Sequence, residues 1–237
     1  MTGNHRFAAL AVALLLAAGV AACGGSSGGS GSGNGIAAKS PDAIAAATAK
    51  AAEAAKSVEV AGSITQGGAT VALDLKMVAG SGATGWLTEQ GKRFNMVLDG
   101  KTLYINAGKS FWTAFTNAAA AKLLEGKWLK TPATGSYASV AKLGNLQSFF
   151  KQVFAHHDTF AKAATKTING VKVVGLRDTK LGGVMYIATT GKPYPIELHG
   201  KTGGSGGGKL TFSGYGTAFK IAPPANAISL AQLEKIG

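Results

Sequence analysis

The sequence predicts an α+β fold built on one large antiparallel sheet. Apolar residues recur at every second position through two long stretches, about 58–107 and again after Asp158. Turn-forming pairs punctuate those stretches: Gln90-Gly91, Asp99-Gly100 and Asn169-Gly170. Helical patterns fall before, between and after the strand runs, with no repeated strand–helix–strand rhythm. A parallel nucleotide-binding sheet is therefore not expected.

The chain opens on a leader. Residues 1–6 are short and polar with one arginine, and Phe7 to Ala18 is an apolar run too short to span a bilayer. Small residues follow, then Cys23, the only cysteine among 237 residues. Val20-Ala21-Ala22-Cys23 resembles the bacterial lipobox, which implies a signal peptide over 1–22 and a diacylglyceryl group on Cys23. The mature chain would then sit on the outer face of the cell membrane, held by its acylated N-terminus. Next comes GGSSGGSGSGNG, which has no side chains able to pack. We read 23–38 as the acylated cysteine and its tether, with a reach on the order of 20 Å, and 39–237 as a single domain.

Within that domain, Ser40-Pro41-Asp42 is a helix start, with Ser40 as the cap and Pro41 at the first helical position. AIAAATAKAAEAAK propagates the helix toward Ser57. Strands follow. Val71, Leu73, Leu75 and Met77 point one way, and Thr70, Asp74 and Lys76 the other. Phe94, Met96 and Leu98 alternate likewise with Arg93, Asn95 and Asp99. A short helix is expected over Asn117–Leu124 and a strand through Trp128. Leu146, Phe149, Phe150, Val153 and Phe154 then fall at helical spacing and form one wide apolar stripe. Strands resume from Phe160, with Ile196 and Leu198 alternating against Glu197 and His199. The tail APPANAISLAQLEKIG reads as a strand followed by a short helix.

The composition excludes several functions. The net charge is +13, but the lysines are scattered singly. This fits a solvated surface, or a broad attraction to anionic membrane or wall polymer. No basic helix, aromatic-flanked basic patch or zinc spacing points to nucleic acid. One cysteine forbids an internal disulfide and a two-Cys, two-His zinc site. GGSGGGKL has the Gly-x4-Gly-Lys spacing of a phosphate loop through Gly203, Gly208 and Lys209, but Leu210 stands where Ser or Thr should hold Mg²⁺. A hairpin loop is expected there. His156-His157-Asp158 closes a helix, where the dipole favours histidine, and adjacent helical residues rarely share a metal. No Gly-x-Ser-x-Gly elbow occurs. No metal, cofactor or catalytic residue is expected, and the chain reads as a non-enzyme.

DGKTLYINAGKSFW followed by GKWLKTP, behind a lipobox, a Gly/Ser tether and an Ala-rich helix, resembles actinobacterial lipoproteins of the LppX/LprG type. The strand DGKTLYI, the pair Phe111-Trp112 and the later Lys127-Trp128 carry the resemblance. It implies a fold like the Lol lipoprotein carriers, in which the sheet curls into an unclosed half-barrel and helices cover the concave face. It also implies a lipid or glycolipid held between sheet and helices and carried across the envelope. On that reading Leu73, Leu75, Met77, Phe94, Met96, Leu98, Phe149, Phe150 and Val153 line an apolar cavity. The alternatives are that the same residues form a filled core in an adaptor that binds a protein or wall polymer by its surface, or that the chain is an enzyme whose site the sequence hides.

Overall fold

A computed structural model of the chain describes residues 33–66, 69–155, 159–201 and 207–235. The leader, Cys23, the tether through residue 32, and His156, His157 and Asp158 lie outside them. The chain divides into two units, Met1–Gly31 and Ser32–Gly237, and the fold described is that of the second.

A 3-10 turn at Ile36–Ala38 precedes helix α1, Pro41–Glu53. Five strands follow: β1 (Ser57–Gln66), β2 (Ala69–Val78), β3 (Gly82–Glu89), β4 (Lys92–Asp99) and β5 (Thr102–Ala107). Helices α2 (Lys109–Phe115) and α3 (Ala118–Leu124) lead to β6 (Trp128–Pro132), and α4 (Ala138–Leu143) and α5 (Leu146–Phe154) come next. The second run holds β7 (Phe160–Ile168), β8 (Val171–Asp178), β9 (Val184–Ala188), β10 (Pro195–His199) and β11 (Gly207–Ser213). β12 (Ala227–Ser229) and α6 (Leu230–Glu234) close the domain.

All twelve strands form one sheet in the order β12-β6-β5-β4-β3-β2-β1-β11-β10-β9-β8-β7. Each strand run is a meander, and β1 joins the two by pairing with β11. The sheet is an unclosed half-barrel. It departs from the expected all-antiparallel pattern at one edge, where β12 lies parallel to β6. The chain arrives there through a crossover, not a hairpin, which permits a parallel pair.

The local chemistry explains most boundaries. The Ser40 hydroxyl accepts from the Ala43 N–H at 3.4 Å, with Pro41 opening α1. That helix stops at Glu53, short of the expected Ser57. Gln90-Gly91 (φ 49 and 73) and Asn169-Gly170 (φ 47 and 80) occupy the two left-handed positions of type I′ turns. At the Asp99-Gly100 turn the centre lies one residue later than expected. Asp99 already pairs with Thr102, so Gly100, at φ 57, takes the first central position.

The folded body also begins earlier than expected. The Asn34 side chain donates to the Ala188 and Gly191 carbonyls at 3.0 Å each, and Ile36 is buried. Residues 34–38 therefore belong to the domain and not to the tether. Two strand glycines permit close approach of neighbouring backbones. Gly62 (φ 129) and Gly85 (φ 149) face Lys209 and Asp74 so closely that a Cβ would lie 2.1 Å and 1.9 Å from their carbonyl oxygens.

Candidate functional site

The inward face of the sheet is an apolar surface built by alternation. Its central row runs Leu129, Ile105, Met96, Gly85, Leu75, Val60 and Phe212 across directly paired strands. Helices α2 to α5 supply the opposing layer: Phe111, Trp112, Ala121, Leu124, Ala141, Leu146, Phe149 and Phe150 join the strand residues in one buried cluster. The rings meet edge to face or tilted. Phe94 and Phe111 lie 5.0 Å apart, Phe149 and Phe150 5.5 Å, and Phe150 and Phe212 5.9 Å. Trp112 hides its one polar atom by donating from Nε1 to the Ala107 carbonyl at 3.1 Å.

Helix α5 is set on this surface by its own start. The Asn145 side chain accepts from the Ser148 N–H at 2.8 Å. Gly144, just before it, lies against the sheet with a hypothetical Cβ only 2.9 Å from Met96 Cε and 3.2 Å from Leu98 Cδ2. A side chain there would have to push the ends of Met96 and Leu98 aside or lift the α4–α5 junction off β3 and β4.

A second buried cluster lies under α1. Ile36 and Ile44 cover Val174, Leu176, Met185 and Ile187. Val153 and Phe154 of α5 rest against both clusters and form the seam between them. α1 crosses the same division: Ile44 belongs to one cluster and Ala52 to the other. Between them, four residues from each, Thr48 is fully buried and its hydroxyl has no hydrogen-bond partner among the described residues.

The structure brings together all of the expected lining residues. Leu73, Leu75, Met77, Phe94, Met96, Leu98, Phe149 and Phe150 are buried in the main cluster, and Val153 packs half-buried against it. They touch as a packed layer. An open depression of about 610 Å³ lies elsewhere, beside α2, and is lined by Lys92, Lys109, Ser110, Thr113 and Ala114. None of the expected residues lines it.

No protein-family model and no curated sequence matches this chain. Among solved structures it is similar to LprF from Mycobacterium bovis, at 14% identity and a TM-score of 0.49, over 78% of this chain and 97% of that one. It is similar to the lipoprotein LppX from Mycobacterium tuberculosis at 17% identity and a TM-score of 0.49, over 77% of this chain and 100% of that one. A LolA superfamily protein from Nitrosomonas europaea aligns at 8% identity and a TM-score of 0.25, over 74% and 92% of the two chains.

Two polar features escaped the sequence reading. Glu197, at an outward position on β10, is buried between His199 and Lys209, at 2.7 Å and 3.2 Å. Burial pushes its carboxyl up, but hydrogen bonds from His199 and Lys209, with their charges, outweigh burial and hold it below the ordinary value. Tyr215 stacks on Tyr194 at 4.0 Å and donates to the Pro195 carbonyl at 3.0 Å. Burial, and then the neighbouring Tyr194, push its phenol well above the usual range. The alternation of β10 placed Glu197 on the outward face, but nothing local signalled its burial, which comes from β9 and β11 on either side.

Proposed function

We propose that this chain is a lipid-anchored extracytoplasmic lipoprotein that takes a lipid or glycolipid between its sheet and helices. The observation that carries the reading is the seam at α5. There, two separate apolar clusters meet under a short helix, on an open sheet, with the Thr48 hydroxyl unpaired on the adjoining helix. A core built only for stability gains nothing from an orphaned hydroxyl, which costs about 1–3 kcal/mol. An acyl chain needs apolar walls and no hydrogen bonds, and an ester or hydroxyl at its head would satisfy Thr48. The packed layer is then the ligand-free form, and α5 is the element that moves to admit the chain. Cys23 holds the domain within reach of the membrane that supplies the ligand. The domain acts by binding, with no catalytic group.

Native mass spectrometry of the full-length chain, recovered from the envelope of an expressing bacterium in mild detergent, tests this. The expected result is a non-covalent lipid adduct that Phe150→Ala and Val153→Trp reduce. Ligand-free wild-type protein that also fails to take up a fluorescent fatty acid sinks the binding reading. Anchoring is tested separately: wild-type chain incorporates an alkyne palmitate label, and Cys23→Ala does not.

A further inference from the structure

An unbroken line of side chains crosses the outward, convex face of the sheet. Trp128 on β6 pairs with Asn106 on β5, Asn106 with Asn95 on β4, Asn95 with Trp86 on β3, and Trp86 with Asp74 on β2. The line continues through Ala61 and Thr211 to Glu197 and Tyr186 on β9. Every member alternates with a residue of the apolar inner face, so all point away from the core. With strands about 4.8 Å apart, the band runs for roughly 38 Å across the molecule. Asn95 is exposed, and Trp86, Trp128, Asn106, Asp74 and Tyr186 are half-buried.

The band is held in place. Asn95 Nδ2 donates to Asn106 Oδ1 at 3.3 Å, and Asn106 Nδ2 donates to the Lys127 carbonyl at 3.1 Å. This fixes both amides and leaves the Asn95 side-chain oxygen without a partner among the described residues. Arg93 lies 4.1 Å over the Trp86 ring, and Lys166 lies 3.7 Å over that of Tyr186. Charge on this face is unequal. Lys76, Arg93, Lys130, Lys166, Arg177 and Lys209 stand in or beside the band, against Glu59, Asp74 and Glu197. Two of those acids are already paired, Glu59 with Lys76 at 3.7 Å and Glu197 with Lys209.

We propose that this face binds an extended acidic polysaccharide laid across the strands from β6 to β9. Trp128 offers a platform for the C–H face of a pyranose ring, and the Arg93–Trp86 and Lys166–Tyr186 stacks set a cation beside a ring, which suits a sugar bearing an acid group. Amides and carboxylates between them supply the mixed donors and acceptors that sugar hydroxyls need. The excess of cations fits scattered acid groups on the polymer. Asp74 and Glu197 within the line oppose a chain charged at every unit, such as single-stranded nucleic acid. The surface faces away from the helices and is independent of the apolar-ligand reading.

Native affinity electrophoresis of the full-length chain in mild detergent tests the proposal, with hyaluronan, which carries a carboxylate on every second sugar, dextran or single-stranded DNA embedded in the gel. Hyaluronan is expected to retard the wild-type chain strongly, and dextran weakly. Trp86→Ala and Trp128→Ala should each weaken the hyaluronan interaction at least fivefold, and Asn95→Ala about threefold, with unchanged circular dichroism. Lys50→Ala, on α1 away from the band, should leave it unchanged. Equal retardation of wild type and the tryptophan variants overturns the proposal, since a general attraction of this basic chain for polyanions would behave that way. Absence of retardation by hyaluronan, or stronger retardation by DNA, overturns it as well.

Discussion

Three single residues carry consequences out of proportion to their size. Gly85 has a backbone angle that other residues rarely adopt and a neighbouring carbonyl where a Cβ would go. Gly85→Ala is expected to destabilise the domain by at least about 2 kcal/mol, read as a lower midpoint in urea. Thr48 works in the opposite direction. Thr48→Val keeps the shape and removes the unpaired hydroxyl, so the ligand-free domain should gain about 1 kcal/mol. The same variant should hold less lipid in the mass-spectrometric assay if the hydroxyl meets a ligand head. Glu197 titrates below its ordinary value in the fold. Its contribution is therefore present above the unfolded carboxyl's pKa, near 4.3, and is lost as pH falls through the folded value. Glu197→Gln should be less stable than wild type at pH 7, and the gap between the two should close in acid. A constant gap from pH 7 to pH 3 in thermal melts would contradict the assignment.

Among the elements, α5 has the clearest design. Its stripe was legible in the sequence because Leu146, Phe149, Phe150, Val153 and Phe154 recur at helical spacing, and the helix forms on those residues. Asn145→Ala removes the hydrogen bond that caps it and should cost about 1 kcal/mol. Phe150→Ala empties a fully buried ring site and should cost about 3–5 kcal/mol; chemical denaturation measures both. The strands were equally legible, since period-two alternation and Asn-Gly or Gln-Gly turns are local signals. What escaped was non-local. α2 was not expected because KSFWTAF is short and its helix depends on Phe111 and Trp112 meeting β4 and β5. The parallel β12–β6 pair joins segments about a hundred residues apart, and no local pattern announces such a partner. The inner face was visible strand by strand from Leu73 to Leu98, whereas its packed state depends on how far α5 descends onto it. The outward band was invisible for a related reason. Trp86, Asn95, Asn106 and Trp128 are scattered in sequence and align only through register.

At the scale of the whole molecule, the joint between the two meanders matters most. β1 pairs on one side with β2, a few residues away, and on the other with β11, from Glu59 to Ser213. A chain emerging from a ribosome or an export channel makes β1 early, yet one edge of that strand must wait until residue 213 has appeared. In the interval its unpaired N–H and C=O groups are a template for any other extended segment. Closing so large a loop before its contacts can reward it slows folding, into the millisecond-to-second range of sheet-rich domains. The outermost edge is finished later still, when β12 reaches β6. Gly62 sits at this joint, where a bare backbone is needed for the late-arriving strand to dock. A substitution there should slow the final closure more than the formation of the first meander, and stopped-flow refolding would separate the two phases. The order of appearance along the chain thus leaves a period of exposed edges, in which a chaperone would have the most to protect.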